Sequence, residues 1–127
     1  PIWSFAALHG AGAFSSTAED LIKFIKASVV EGEVASELLR KMAKPQFNGK
    51  TGIGWMQPTS IDRILGNRTV VWHNGMVGGY ASYLAIDKET STGVVVLTNQ
   101  ASPPEMLGMT LMRQARTQSW SSNNSLD

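Results

Sequence analysis

Three runs of strand-forming residues stand close together in this chain: Thr69 to His73, Tyr80 to Ile86 and Thr92 to Thr98. They are dominated by β-branched and aromatic types, and the polar turn Asp87-Lys88-Glu89-Thr90-Ser91 joins the last two. Connections this short make antiparallel neighbours, because a parallel partner needs a crossover of about a dozen residues or more. Val94-Val95-Val96-Leu97 is apolar at every position, as is Val70-Val71-Trp72, so both faces of such a sheet require cover. At roughly 25 cal/mol per Å² of apolar surface, a few wet side chains would cost several kcal/mol, comparable to the whole stability of a small domain. The cover must come from the flanking segments or from another polypeptide.

The flanks carry helical patterns. Pro1 to Phe14 reads as a loop around Gly10-Ala11-Gly12-Ala13. Ser16 and Glu19 fit a capping box, and Ala18, Leu21, Ile22, Ile25 and Val29 recur at three- and four-residue spacing, which predicts an amphipathic helix over Thr17 to Val30. Gly32 ends it. A second helix is predicted over Val34 to Ala43, with Leu38, Leu39 and Met42 inward and Pro45 as the stop. Gly52 to Met56 reads as a short strand ended by Pro58. A last helix starts near Pro103-Pro104 with Leu107, Leu111 and Ala115 on one stripe, and the tail from Ser121 to Asp127 frays. The expected fold is α+β: an antiparallel sheet of three to four strands, with N-proximal helices and a C-terminal helix packed on it.

Composition narrows the chemistry. At 127 residues the chain fits a single unit over 1–127, and 43% hydrophobic with 17% charged residues is the balance of a soluble folded protein. A net charge of +1 from scattered basic residues gives no reason to expect nucleic acid. There is no cysteine, which removes disulfides, thiol catalysis and thiolate metal sites. His9 and His73 are far apart and outside any ligand-spaced cluster, so neither a metal nor a cofactor is implied. No apolar stretch reaches the roughly 18 residues of a membrane span, and no basic-then-apolar leader begins the chain.

The segment Trp72-His73-Asn74-Gly75-Met76-Val77-Gly78-Gly79-Tyr80 carries the functional signal. On its own, Asn74-Gly75 between strands is a strong two-residue hairpin signature with no function attached, although Gly78-Gly79 offers another turn four residues on. His73 alone is a packed or partly exposed strand residue. Trp55, Trp72 and Tyr83 are most simply core aromatics, and Met106, Met109 and Met112 helix packing.

Taken with the apolar runs that follow, the segment resembles the third active-site strand of the serine β-lactamase and penicillin-binding-protein family, in the branch with class C β-lactamases and their esterase and peptidase relatives. There a Lys/His-x-Gly triplet borders the catalytic cleft and a Gly-Gly-aromatic turn leads to the next strand. Further pieces appear in the family's order. Gly10 to Leu21 is similar to its Ala-Gly-Gly-hydrophobic-x-Ser-Thr-Ala-x-Asp-Leu stretch, Gly54-Trp55 to its Gly-hydrophobic-Gly-Trp strand, and Val94 to Asn99 to its Val-Val-Val-Leu-Thr-Asn strand.

The resemblance implies roles. His73 would line the cleft, bonding a substrate carboxylate or helping to hold the charge state of the base. Asn74 would bond polar substrate groups, and Gly75 would let the strand approach the substrate closely. The backbone N-H of Met76 would be one donor of the oxyanion hole. A histidine in place of the better-known lysine favours the esterase-like, peptidase-like or uncharacterised branches over broad carboxylate binding.

Two family elements are missing. No serine stands three residues before a lysine; Ser60 precedes Arg63, which stays protonated and cannot act as a base. No Tyr-x-Asn occurs either, since Tyr80 precedes Ala81-Ser82 and Tyr83 precedes Leu84-Ala85. The chain is thus expected to be the C-terminal part of a serine hydrolase acting on a β-lactam, a D-amino-acid peptide or an ester, inactive alone. Its expected partners are a second copy or the missing N-terminal part, with a small acyl substrate only in the complete enzyme. The sequence assigns no compartment; an exported parent, periplasmic or secreted, is compatible with it. A non-enzymatic, self-associating module is the competing reading, and a small unrelated enzyme pairing His73 with Asp62 or Asp87 is a third.

Overall fold

A computed structural model describes residues 6–46 and 49–123. The N-proximal part opens with a 3-10 segment, Ala6–Ala11, where a loop was expected; residues 1–5 of that expected loop lie outside the described residues. Helix α1, Ala18–Val29, and helix α2, Val34–Met42, fall within one residue of the predicted bounds. The cap of α1 is shifted by one position from the expected Ser16–Glu19 box. Thr17 is the N-cap, and its hydroxyl accepts from the Asp20 backbone N-H. In α2 Leu39 is buried and Met42 half-buried, but Leu38 is exposed, which corrects its inward assignment.

Gly52 to Met56 does not form the expected strand. Its backbone folds onto the end of α2 instead: Ile53 N donates to Met42 O (2.7 Å) and Gly52 N to Trp55 O (2.6 Å), leaving isolated bridges. A short helix that the sequence pattern did not suggest, α3 (Ser60–Ile64), follows. It is closed by a capping box in which Thr59 N and Oγ1 both donate to Asp62 Oδ2 at 2.7 Å.

Strands β1 (Val71–Val77), β2 (Tyr80–Asp87) and β3 (Thr92–Thr98) form one antiparallel sheet in the order β1-β2-β3. The register runs Val71↔Ile86 to Val77↔Tyr80 and Ala81↔Thr98 to Asp87↔Thr92. The chain reverses at Gly78-Gly79, where Gly79 has φ +84°, and passes straight through Asn74-Gly75. Gly79, at the second central position of the turn, takes its positive φ with no steric cost.

Strand alternation sorts the core into two clusters. Val70, Trp72, Tyr83, Ala85 and Val96 meet Met112 of α4 (Glu105–Asn123) on one face. Ile86, with Leu84 and Val95 behind it, packs against Ile25, Leu39 and Trp55 on the other. Helices α1 and α2 therefore supply the second cover, the first of the two options left by the doubly apolar strands. With that face covered from within the chain, the apolar strands no longer call for a second copy.

The stripe of α4 differs from the expected one. Met109, Met112 and Gly108 are buried, whereas Leu107 and Leu111 are exposed. Gly108 determines this rotation, because a Cβ there would lie 2.2 Å from Tyr83 Cδ1 and 2.4 Å from Cε1. The Tyr83 ring is stacked on Trp72 with centroids 5.7 Å apart, which opposes its retreat. Alanine is the better helix former by about 1 kcal/mol. Overpacking costs about 1–3 kcal/mol. Gly108→Ala should therefore lose stability in urea unfolding, and a stabilised variant would show that the ring yields. Ser121 to Asn123 continue α4 where fraying was expected, and residues 124–127 of the predicted frayed tail lie outside the described residues.

Candidate functional site

His73, Asn74, Gly75 and Met76 are consecutive residues of β1, so their side chains alternate across the sheet. His73 and Gly75 share the face of Val71, opposite Leu84 and Ser82. Asn74 and Met76 share the face of Trp72, opposite Tyr83 and Ala81. All four residues are exposed. Gly75 leaves little room above it: a Cβ would meet Ser82 Oγ at 3.0 Å.

The backbone of β1 has a more selective arrangement. Met56 and Trp72 exchange hydrogen bonds on the outer edge of the sheet, Met56 N to Trp72 O at 2.8 Å and Trp72 N to Met56 O at 3.2 Å. Alternate residues of a strand turn their N-H and C=O groups the same way, so those of Asn74 and Met76 point to that edge too. Past Met56, no described residue pairs with it. The Met76 N-H is thus a fixed donor directed into the space beside the sheet.

The His73 side chain has no hydrogen bond or ion pair among the described residues. The two carboxylates considered as its partners are engaged elsewhere. Asp62 caps α3. Asp87 is buried at the far end of β2, where it accepts from Thr69 Oγ1 (2.9 Å), Glu89 N (3.1 Å) and Thr90 Oγ1 (2.8 Å), with Arg116 Nε 2.7 Å away. Neither makes a dyad with His73. Trp55, Trp72 and Tyr83 are buried and belong to the core.

Asn74 makes a contact that its spacing in sequence did not suggest. Its Nδ2 donates to Oε1 of Glu105, the first residue of α4. Nothing in the pattern around Pro103-Pro104-Glu105 marks that glutamate as more than a helix start. Tyr83, paired opposite Asn74, has its acidity suppressed, first by burial and then by the negative charges of Asp62 and Glu105. Among the described residues no three His, Cys, Asp or Glu side chains come together as a metal site, and no helix is long and apolar enough to cross a membrane. A groove of about 280 Å³ lies between α2 and the far end of the sheet, beside Leu39, Arg40 and Val71, and does not include any of the four residues.

The profile of the family described as Beta-lactamase matches residues 1–118. No match was found among curated proteins or among solved structures.

Proposed function

Because the chain belongs to the β-lactamase family, we propose that it supplies one wall of an acylation cleft whose attacking serine is carried by a polypeptide outside this sequence. The reading is that of a C-terminal portion of a serine hydrolase acting on β-lactams, D-amino-acid peptides or esters. The observation that carries it is the outer edge of β1 at Met76, which no described residue pairs with. A tetrahedral intermediate develops negative charge on the former carbonyl oxygen, and a backbone N-H already aimed at that position needs no reorganisation as the charge appears. A second donor would come from the backbone beside the serine. His73 stands exposed one pleat away, on the opposite face from Asn74, free to bond the substrate or the catalytic base.

The sequence contains neither Ser-x-x-Lys nor Tyr-x-Asn, so this wall has no nucleophile and no base of its own. The purified chain should hydrolyse neither a chromogenic cephalosporin nor a short-chain nitrophenyl ester above the buffer rate. Combined with a polypeptide carrying both motifs, it should form an acyl-enzyme visible as a mass increase equal to the acyl group. Turnover by the chain alone that survives repurification and is lost in His73→Ala would overturn this assignment.

A second reading, self-association, is favoured by one observation: the outer edge of β3 pairs with no described strand. Light scattering after size exclusion tests it. A monomer at micromolar concentration would remove it without touching the cleft.

A further inference from the structure

We infer that Asp62, Asn67 and Tyr83 together bind a small monovalent cation in the interior, where residues 57–67 meet α4 and the Trp72–Tyr83 stack. All three side chains are buried, at 1% exposure or less, and each leaves one oxygen without a partner among the described residues. The three atoms are Asp62 Oδ1, Asn67 Oδ1 and the Tyr83 hydroxyl. Native interiors seldom orphan a buried polar atom, and where they do a bound water or ion is a usual cause.

Backbone and side-chain bonds draw the three residues into one region. Trp72 Nε1 donates to Gln57 O (3.3 Å) at one end of the segment. At the other, Asn67 N donates to Asp62 O (2.7 Å) and Asn67 Nδ2 to Met109 O (3.0 Å). Met109 follows Gly108, the residue of α4 that lies against the Tyr83 ring. Residues 57–67 are thus held to both members of the stack, directly at Trp72 and through α4 at Tyr83. The Tyr83 hydroxyl registers that placement: after burial, the negative charge of Asp62 is the largest cause of its suppressed acidity.

The chemistry of the three oxygens selects the guest. Asp62 Oδ2 takes the Thr59 N-H and hydroxyl, which leaves Oδ1, and the orphan atom of Asn67 is its amide carbonyl oxygen. Asp62 makes no ion pair among the described residues, and the largely buried Arg116 is committed to Asp87 and the Gly66 carbonyl. A buried carboxylate without a countercharge is costly. Carboxylate, amide and phenol oxygens are hard ligands suited to hard cations, and one carboxylate balances one positive charge. A divalent ion calls for more carboxylate than this, and among the described residues no three His, Cys, Asp or Glu side chains come together. Sodium and potassium ions fit the set.

The test melts the full chain in sodium, potassium and choline chlorides at one ionic strength, so that screening is the same in each. A cation at ten times its dissociation constant multiplies the folding constant about elevenfold and raises the melting temperature by about 5 °C. Sodium or potassium should give that saturable rise, and choline should not. Tyr83→Phe removes the hydroxyl and keeps the ring on Trp72, while Asp62→Asn keeps an acceptor for Thr59 and removes the charge; each should abolish the rise. Broadening of the sodium-23 resonance by the unaltered chain, reversed by potassium, reads binding without relying on a variant to fold. Equal melting in all three salts with no sodium-23 broadening would overturn the site. A rise that persists in Tyr83→Phe or Asp62→Asn would place the ion elsewhere and overturn it too. A loss of stability in Tyr83→Phe that is the same in every salt would assign the oxygens to a bound water and remove the cation.

Discussion

Asp87→Ala should destabilise the chain by about 3–5 kcal/mol, the range for breaking a buried ion pair by removing one partner. Asp87 is fully buried and gathers the Thr69 and Thr90 hydroxyls, the Glu89 N-H and the Arg116 guanidinium. Alanine leaves each of those donors short of an acceptor, and Arg116, four-fifths buried, loses its countercharge. Arg116 keeps its bond to the Gly66 carbonyl, which offsets only part of the loss. Urea unfolding at neutral pH gives the value. The double variant Asp87→Ala/Arg116→Ala should lose less than the sum of its parts, because the second change removes the charge that the first strands. A single-variant loss below about 1 kcal/mol would mean that water replaces the carboxylate at that end of the sheet.

Met76→Pro should abolish most of the activity of the complete enzyme while leaving this fold in place. Proline has no N-H and fits a strand only where that group points away from the ladder. Met76 meets the condition, since its N-H faces an edge that no described residue pairs with and the residue is 59% exposed. Loss of one oxyanion donor lowers kcat by about 100- to 1,000-fold. The melting temperature should fall by less than about 5 °C, equivalent to roughly 1 kcal/mol in a chain of this size. Full turnover in the variant would remove Met76 from the oxyanion site, whereas collapse of the fold would show that its N-H serves the sheet. Met76→Leu, which keeps the N-H, separates the side chain from the backbone and should retain activity.

How far the sequence could be read follows from which contacts are local. β2 and β3 were legible almost to the residue, because the turn Asp87 to Ser91 separates two runs with strong strand preference. The bounds of α1 and α2 came from spacing and stop residues close by. The cap of α1 slipped by one because Ser16-Thr17-Ala18-Glu19-Asp20 offers two capping frames, Ser16 with Glu19 and Thr17 with Asp20. The stripe of α4 was misread for a different reason. Apolar residues occupy 106, 107, 109, 111 and 112, almost all round the helix, so its orientation is decided by the one position that tolerates no side chain against Tyr83. α3 carried a capping signature at Thr59 and Asp62 but is only five residues long, too short for a periodic signal.

The site divides in the same way. His73 to Met76 are adjacent in sequence, and the family motif made them visible; that His73 and Asn74 face opposite ways follows from strand alternation alone. Glu105 lies 31 residues from Asn74, and only the docking of α4 on the sheet brings them together.

The bridge between Met56 and Trp72 also sets a length. An extended guest laid along β1 finds two rungs, at Asn74 and Met76, roughly 7 Å apart, before it runs into Met56 on one side. On the other side the chain turns away at Gly78. The berth holds about three guest residues in ladder contact, so a peptide longer than a tripeptide must bend out of the plane of the sheet at Met56.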